Sequence, residues 1–444
     1  TIVSDHTLHS GGQTWNLSGS GTPFVIGGIF DAATSTFQYS STGDTNITTT
    51  DYYNMSLAAA GVGSPTYTLL NGTYNIDGDL TIGNGSNSVT VTANTNDPTV
   101  DLAGDITINT NATFTGSNSG SFTVAGSWTN TVTFNHGNST ITFDSLDTGE
   151  TVNAGSSPFY NVIFNSQSGG WTLTESATSS NNWSLTDVVS FVVSSGSVLE
   201  VDGTFSHALD NASTTWSGAT LYINSGSTQT INASTTDGDT YNVLRVGDNT
   251  DVRMWNSTST TYDIHTAGSL YSQDHNGVDG DLYIWGDYTR TSGADYWSYA
   301  TDFDGTILSG GNERQANVRL ASNATTTITG GSLYINGSST ASTTVTTQNS
   351  GTHALIINGG NINAQYYQLR DLNQDGLQLL GSSAVSELSN GDFELAIDGG
   401  AMLSVAGTVI NTNPLETFSF MRFATSSGVS SGYNFDVSGT SVSS

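Results

Sequence analysis

The 444-residue chain contains no cysteine and no lysine, and its seven basic residues are all arginine. Without thiols, disulfide frameworks, cysteine nucleophiles and thiolate metal sites are excluded. Without lysine there is no Walker-type phosphate lysine, no Schiff base and no Lys–Asn isopeptide crosslink. Against the seven cations stand 38 Asp and Glu, a formal net charge of −31. Such a chain offers no basic stripe to a nucleic-acid backbone or to an anionic membrane surface. It lacks any run of 18 apolar residues, so no segment reads as inserting into a membrane as a helix. A cationic, apolar leader is missing too, and the first residue is Thr1. A secreted and processed protein, or a fragment, is expected from that start.

What is present is mostly uncharged and polar: about 29% Ser and Thr, with 51 Gly. Disordered chains are poor in aromatic and β-branched residues. Here 18 Tyr, 17 Phe and 8 Trp accompany many Val, Ile and Thr, which favours a packed fold. Helical periodicity is nearly absent. Short alternating runs such as Leu80-Thr81-Ile82, Val89-Thr90-Val91, Ile106-Thr107-Ile108 and Ile141-Thr142-Phe143 recur between Gly, Asn, Asp and Ser. Alternation of that kind is the signature of strands, so the chain reads as all-β.

Repetition narrows the architecture. The pattern apolar, spacer, Gly, Asp/Ser/Thr, apolar recurs at 76–80, 102–106, 124–128, 201–205, 278–282, 284–288 and 405–409. The glycine is expected to permit a backbone bend between short strands. A second pattern, an aromatic residue followed by Asn or Gln and alternating apolar positions, begins at Tyr53, Tyr160, Tyr241 and Tyr367. Two architectures fit. An elongated parallel β-helix, or β-solenoid, with about 22 residues per coil explains the reused bend. Tandem β-sandwiches are the alternative, since Asn71-Gly72 and Asp77-Gly78 are also hairpin signals.

The Tyr-Asn units, the Gly-Asp-Leu-Thr-Ile type rungs, and Tyr366-Tyr367-Gln368-Leu369-Arg370-Asp371 followed by Gly391-Asp392-Phe393-Glu394-Leu395 resemble the repetitive β-helix surface proteins of bacteria, adhesin-like or fibre-forming. The resemblance covers most of the chain from about Thr34 onward. It implies an extracellular, structural or adhesive role. Residues 1–33 are expected to form an N-terminal cap or docking segment, 34–414 the solenoid, and 415–444 an aromatic-rich cap or subunit-docking segment.

Candidate sites follow from residue chemistry. Asp279 with Asp281, and Asp302 with Asp304, place two carboxylates two apart, a spacing that on a strand shares one face and suits Ca²⁺. Asp371, Asn373, Asp375 and Gly376 match the start of an EF-hand loop, yet Ser382 stands where a bidentate Glu belongs. Each Asp-Gly-Asp also reads as simple turn chemistry. Tyr283, Trp285, Tyr288, Tyr296 and Trp297 crowd one stretch, suited to a sugar face, a subunit interface or a core. Phe418, Phe420 and Phe423 enrich the last thirty residues and are candidates for docking. Seven scattered His and no grouped acid–base pair give no catalytic constellation, so no enzyme activity and no required cofactor are expected. Asn-x-Ser/Thr sites, including Asn16, Asn111, Asn182, Asn256 and Asn336, allow glycosylation.

The functional expectation is a structural subunit of an extracellular filament or surface layer, a homopolymer joined end to end. The alternative is a cell-surface adhesin or carbohydrate-binding stalk, with a polysaccharide lyase or hydrolase behind it.

Overall fold

The computed structural model describes the backbone of residues 1–207, 213–232, 240–246, 251–255, 260–266, 269–272, 281–284, 288–290, 294–298, 317–320, 322–337, 339, 342–347, 350–413, 418–425, 429 and 431–439; side chains from 228 to 317 lie outside it. Among the described residues every strand pairing is parallel, and strands inside each sheet pair with counterparts one coil earlier and one coil later. This is a parallel β-solenoid. Tandem sandwiches are overturned by that polarity, because they require antiparallel partners.

The chain divides into two units, Thr1–Ser217 and Gly218–Ser444. In the first, three sheets form three faces. The first face includes the strands Thr14–Leu17, Thr36–Tyr39, Asn54–Leu57, Leu80–Ile82, Ile106–Ile108 and Trp128–Asn130. The second holds Thr45–Ile47, Thr66–Leu69, Val89–Thr92, Ala112–Thr115 and Thr133–Asn135. The third runs from Thr73–Ile76 through Thr140–Phe143 and Asn161–Asn165 to Phe205–His207. Strand alternation sends every second residue inward. Tyr67, Val91, Phe114 and Phe134 thus pile up in register behind the second face, all buried.

Aromatic rings fill much of this interior. Phe134, Trp128, Phe143, Phe164 and Trp183 follow one another with ring centroids 4.7 to 6.4 Å apart. Burying each such side chain contributes about 1.5–3 kcal/mol. In the second unit the described interior is mainly aliphatic, with Tyr367 and Phe393 as its buried rings. Val318 and Val345, then Leu355, Leu377 and Leu403, stack coil on coil with no exposure.

Coil length is not fixed near 22 residues. Residues hydrogen-bonded between neighbouring coils lie 18 residues apart at Thr36 and Asn54, 26 at Asp79 and Asp105, and 33 at Asp398 and Ser431. Turns absorb the difference while the ladder register holds. The segment expected as an N-terminal cap supplies the strands Thr7–His9, Thr14–Leu17 and Ile29–Asp31, of which Thr14–Leu17 begins the first face. A short helix, Gly407–Thr412, occupies the copy of the glycine pattern at 405–409, so that copy is no bend between strands.

Candidate functional site

The repeated motifs prove to be fastenings between coils. In the first unit the Asn54 side chain accepts from the Asp79 backbone N–H at 2.8 Å. Asp79 Oδ1 accepts from Asp105 N–H at 3.0 Å, and Asp105 Oδ1 from Ser127 N–H at 2.8 Å. Ser127 Oγ accepts from Thr151 N–H at 2.9 Å and donates to Glu150 Oε2 at 2.6 Å. One column of side chains therefore satisfies, coil after coil, the N–H that each turn frees from the ladder.

The glycine of the pattern belongs to the same device. A Cβ on Gly104 would lie 2.4 Å from the Gly78 carbonyl and 2.6 Å from Asp79 Oδ1. Its φ is not positive, so close approach of the preceding coil, not a left-handed bend, demands glycine here.

The Tyr-Asn motif works likewise. Asn54 Nδ2 donates down to Thr36 Oγ1 at 3.3 Å while its carbonyl accepts from the coil above. Asn161, on the third face, repeats the arrangement: Nδ2 donates to Thr140 Oγ1 at 3.1 Å, and Oδ1 accepts from Asn182 N–H at 3.2 Å. Each such Asn spans three coils. These contacts were missed from sequence, although the constant position of Asn and Asp just before a strand was the available signal.

The metal candidates do not converge. The Asp371 carboxylate accepts from Thr347 N–H and Oγ1, both at 3.1 Å, and from Thr346 Oγ1. Asn373 Oδ1 accepts from Asp375 N–H at 3.2 Å, and both residues lie in the interruption of the ladder between Leu372 and Leu377, where Gly376 has a φ of 66°. Among the described residues no three His, Asp or Glu side chains group together. Asp281 falls on the backbone of Asp281–Ile284, and the side-chain environments of Asp279, Asp281, Asp302 and Asp304 lie outside the described residues.

The aromatic candidates divide. Tyr283, Tyr288, Tyr296 and Trp297 fall on strands whose backbone alone is described, and Trp285 is outside. Tyr296 pairs in register with Tyr334 and Trp297 with Ile335. Phe418, Phe420 and Phe423 belong to the last described coil. Phe418 pairs with Leu388, and Phe423 stacks on Phe393 with centroids 5.4 Å apart. Phe420 is 81% exposed at a φ of 52°.

That coil is built from Phe418–Ser419, Arg422–Thr425 and Gly432–Ser438. In the last strand Tyr433, Phe435 and Val437 pair with Ala401, Leu403 and Val405, which are buried. They occupy inward positions, yet Tyr433 is 66% exposed and its two companions are also open to solvent. Arg422 grips Asp392 of the coil below through two hydrogen bonds, which raise the guanidinium pKa. In the first coils of the first unit, Ile2, Leu8, Trp15, Leu17, Phe24 and Phe37 line an apolar pocket of about 420 Å³. A groove of about 330 Å³ on the third face is lined by Thr140, Asn161, Asn182, Ser184, Thr204 and Ser206 and holds no titratable side chain.

Two buried groups stand apart. His353 is fully buried; its Nε2 lies 3.0 Å from the Arg370 carbonyl, and Nδ1 has no partner. Burial pushes its pKa down to about 4, against smaller opposing effects of the Arg370 carbonyl and Asp371. The Tyr367 hydroxyl is buried without a partner, and desolvation holds its pKa well above 10. Comparison with family models, with curated proteins and with solved structures found no match for this chain.

Proposed function

We propose that the chain is a structural subunit of an extracellular assembly, a filament or surface layer, in which copies join through the ends of their ladders. The observation that carries this reading is the last described coil, whose inward row Tyr433, Phe435 and Val437 is uncovered. A strand edge with free N–H and C=O groups templates a further strand. Non-equivalent ends that meet head to tail generate an open polymer unless the rotation closes.

Charge favours the same surface. Residues 418–438 carry one Arg and one Asp, in a chain of net charge −31, so like-charge repulsion is low there. The apolar pocket at Trp15 and Phe24 offers a complementary surface.

Electron microscopy of the purified chain over a concentration series tests the reading. Polymers are expected, and Phe435→Asp combined with Tyr433→Ser should abolish them while leaving the fold intact. Dispersed particles at every concentration would end the proposal.

A further inference from the structure

The second face of the first unit differs from everything around it. Its outward positions are Thr66 and Thr68, Thr90 and Thr92, Thr113 and Thr115, and Thr133 and Asn135 on four successive strands. Backbone register aligns them into two straight ranks. Thr66, Thr90, Thr113 and Thr133 form one, and Thr68, Thr92, Thr115 and Asn135 the other. The position flanking the second rank on the preceding strand is Asn46, again uncharged. In a chain with 38 acidic residues, the outward positions of these four strands include no carboxylate; Asp44, which flanks the first rank, accepts from the Thr66 N–H at 2.8 Å.

The array is rigid. Threonine is β-branched and stiff at χ1, so each side chain holds its hydroxyl and methyl in a set direction on a strand. Behind it Tyr67, Val91, Phe114 and Phe134 are packed without gaps to solvent. Thr92 donates to Asn94 at 2.6 Å, and Thr115 Oγ1 accepts weakly from Asn135 at 3.5 Å. The hydroxyls of Thr66, Thr68, Thr90, Thr113 and Thr133 make no bond within the chain and are left to solvent. Parallel strands set the ranks about 4.8 Å apart between coils and about 6.7 Å apart along each strand.

We infer that this face binds a crystalline lattice of water, that is, an ice surface. A two-dimensional grid of fixed hydroxyls and methyls recognises a solid that repeats in two dimensions, and a prism face of hexagonal ice repeats at intervals close to these two spacings. Each hydroxyl replaces a lattice hydrogen bond, and each methyl orders water beside it without competing for it. The chemistry of the face discriminates among solids. A mineral surface calls for an array of charge, which the four strands lack, Asp44 standing alone at one edge. A crystalline polysaccharide is gripped by flat aromatic rings, and on these strands every ring points inward. The inference does not depend on assembly, because it concerns a face and not an end.

Purified full-length chain, fluorescently labelled, is grown into a single ice crystal, and recrystallisation of fine-grained ice is followed in parallel. The chain is expected to adsorb to ice and to slow recrystallisation. Thr90→Tyr with Thr113→Tyr, at the centre of one rank, should lower adsorption about tenfold or more, the scale of losing a central hot spot. Thr142→Tyr, outward on the neighbouring face, should leave adsorption unchanged, with circular dichroism showing all variants folded. Absence of the native chain from ice, or equal adsorption by the double variant, would overturn the inference. So would retention on crystalline cellulose or chitin but not on ice.

Discussion

The two units run the same parallel ladder around different fillings. Behind its faces the first unit stacks aromatic rings, with Trp128, Trp171 and Trp183 all buried and their indole N–H groups without partners. The described interior of the second is mainly Leu, Ile and Val, with Tyr367 and Phe393 as its buried rings and His353 beside them. Backbone pairing sets the architecture in both, so side-chain identity is free to vary so long as each inward position is filled. The difference then lies in failure modes: the first unit is vulnerable to lost volume, the second also to protonation.

Removing volume should have the largest effect. Trp183→Ala deletes a ring touching Phe159, Phe164 and Phe191 and should cost about 3–5 kcal/mol. Since each coil contacts chiefly its neighbours, hydrogen exchange should accelerate around residues 140–207 and leave residues 350–406 protected. Uniform loss of protection would show that the units do not respond separately.

Acid should act on the second unit. His353 is held neutral in the fold, with a pKa near 4 against 6.5 in the unfolded chain. Its contribution is whole above pH 6.5 and declines as pH falls toward 4, because the unfolded chain binds the proton first. The decline amounts to about 3 kcal/mol. Denaturant titrations monitored at 350–406 should show that slope, and His353→Leu should flatten it.

Close packing against glycine comes next. A Cβ at Gly391 would sit 2.1 Å from Tyr367 Cζ, and one at Gly104 would strike the carbonyl of Gly78. Alanine at either position should destabilise by about 1–3 kcal/mol, read as a lower denaturation midpoint. Alanine should be better tolerated at Gly196, where nothing lies within 4 Å although φ is +84°. Asn161→Ala, which breaks one three-coil clasp, should cost least, about 1 kcal/mol, and accelerate exchange at the Asn182 amide.

Much of this fold was legible in the chain. Alternation at Ile106-Thr107-Ile108 and its kin announced strands, and reuse of Gly-Asp announced stacking. Coil length was not legible, since a turn of any length serves if the next strand returns to register, as the steps of 18 and 33 residues show. The chemical purpose of Gly104 was misread because sequence displays conformational freedom more readily than the nearness of another coil. Asp371 and Asp375 illustrate the converse. Their spacing copies a calcium loop, but spacing says nothing of side-chain partners, and here the Asp371 carboxylate meets hydroxyl and amide donors of the preceding coil while the Asp375 N–H turns to Asn373. The paired ranks at Thr66 and Thr68 became visible only once register aligned four strands.

Because the described strand pairings join one coil to the next, no portion of the ladder must wait for a distant part of the polypeptide. Loop closure is short at each step, and a finished coil is the template for the one to follow. Such a molecule can wind itself up in the order in which it leaves the ribosome, each freshly emerged stretch settling before the next arrives.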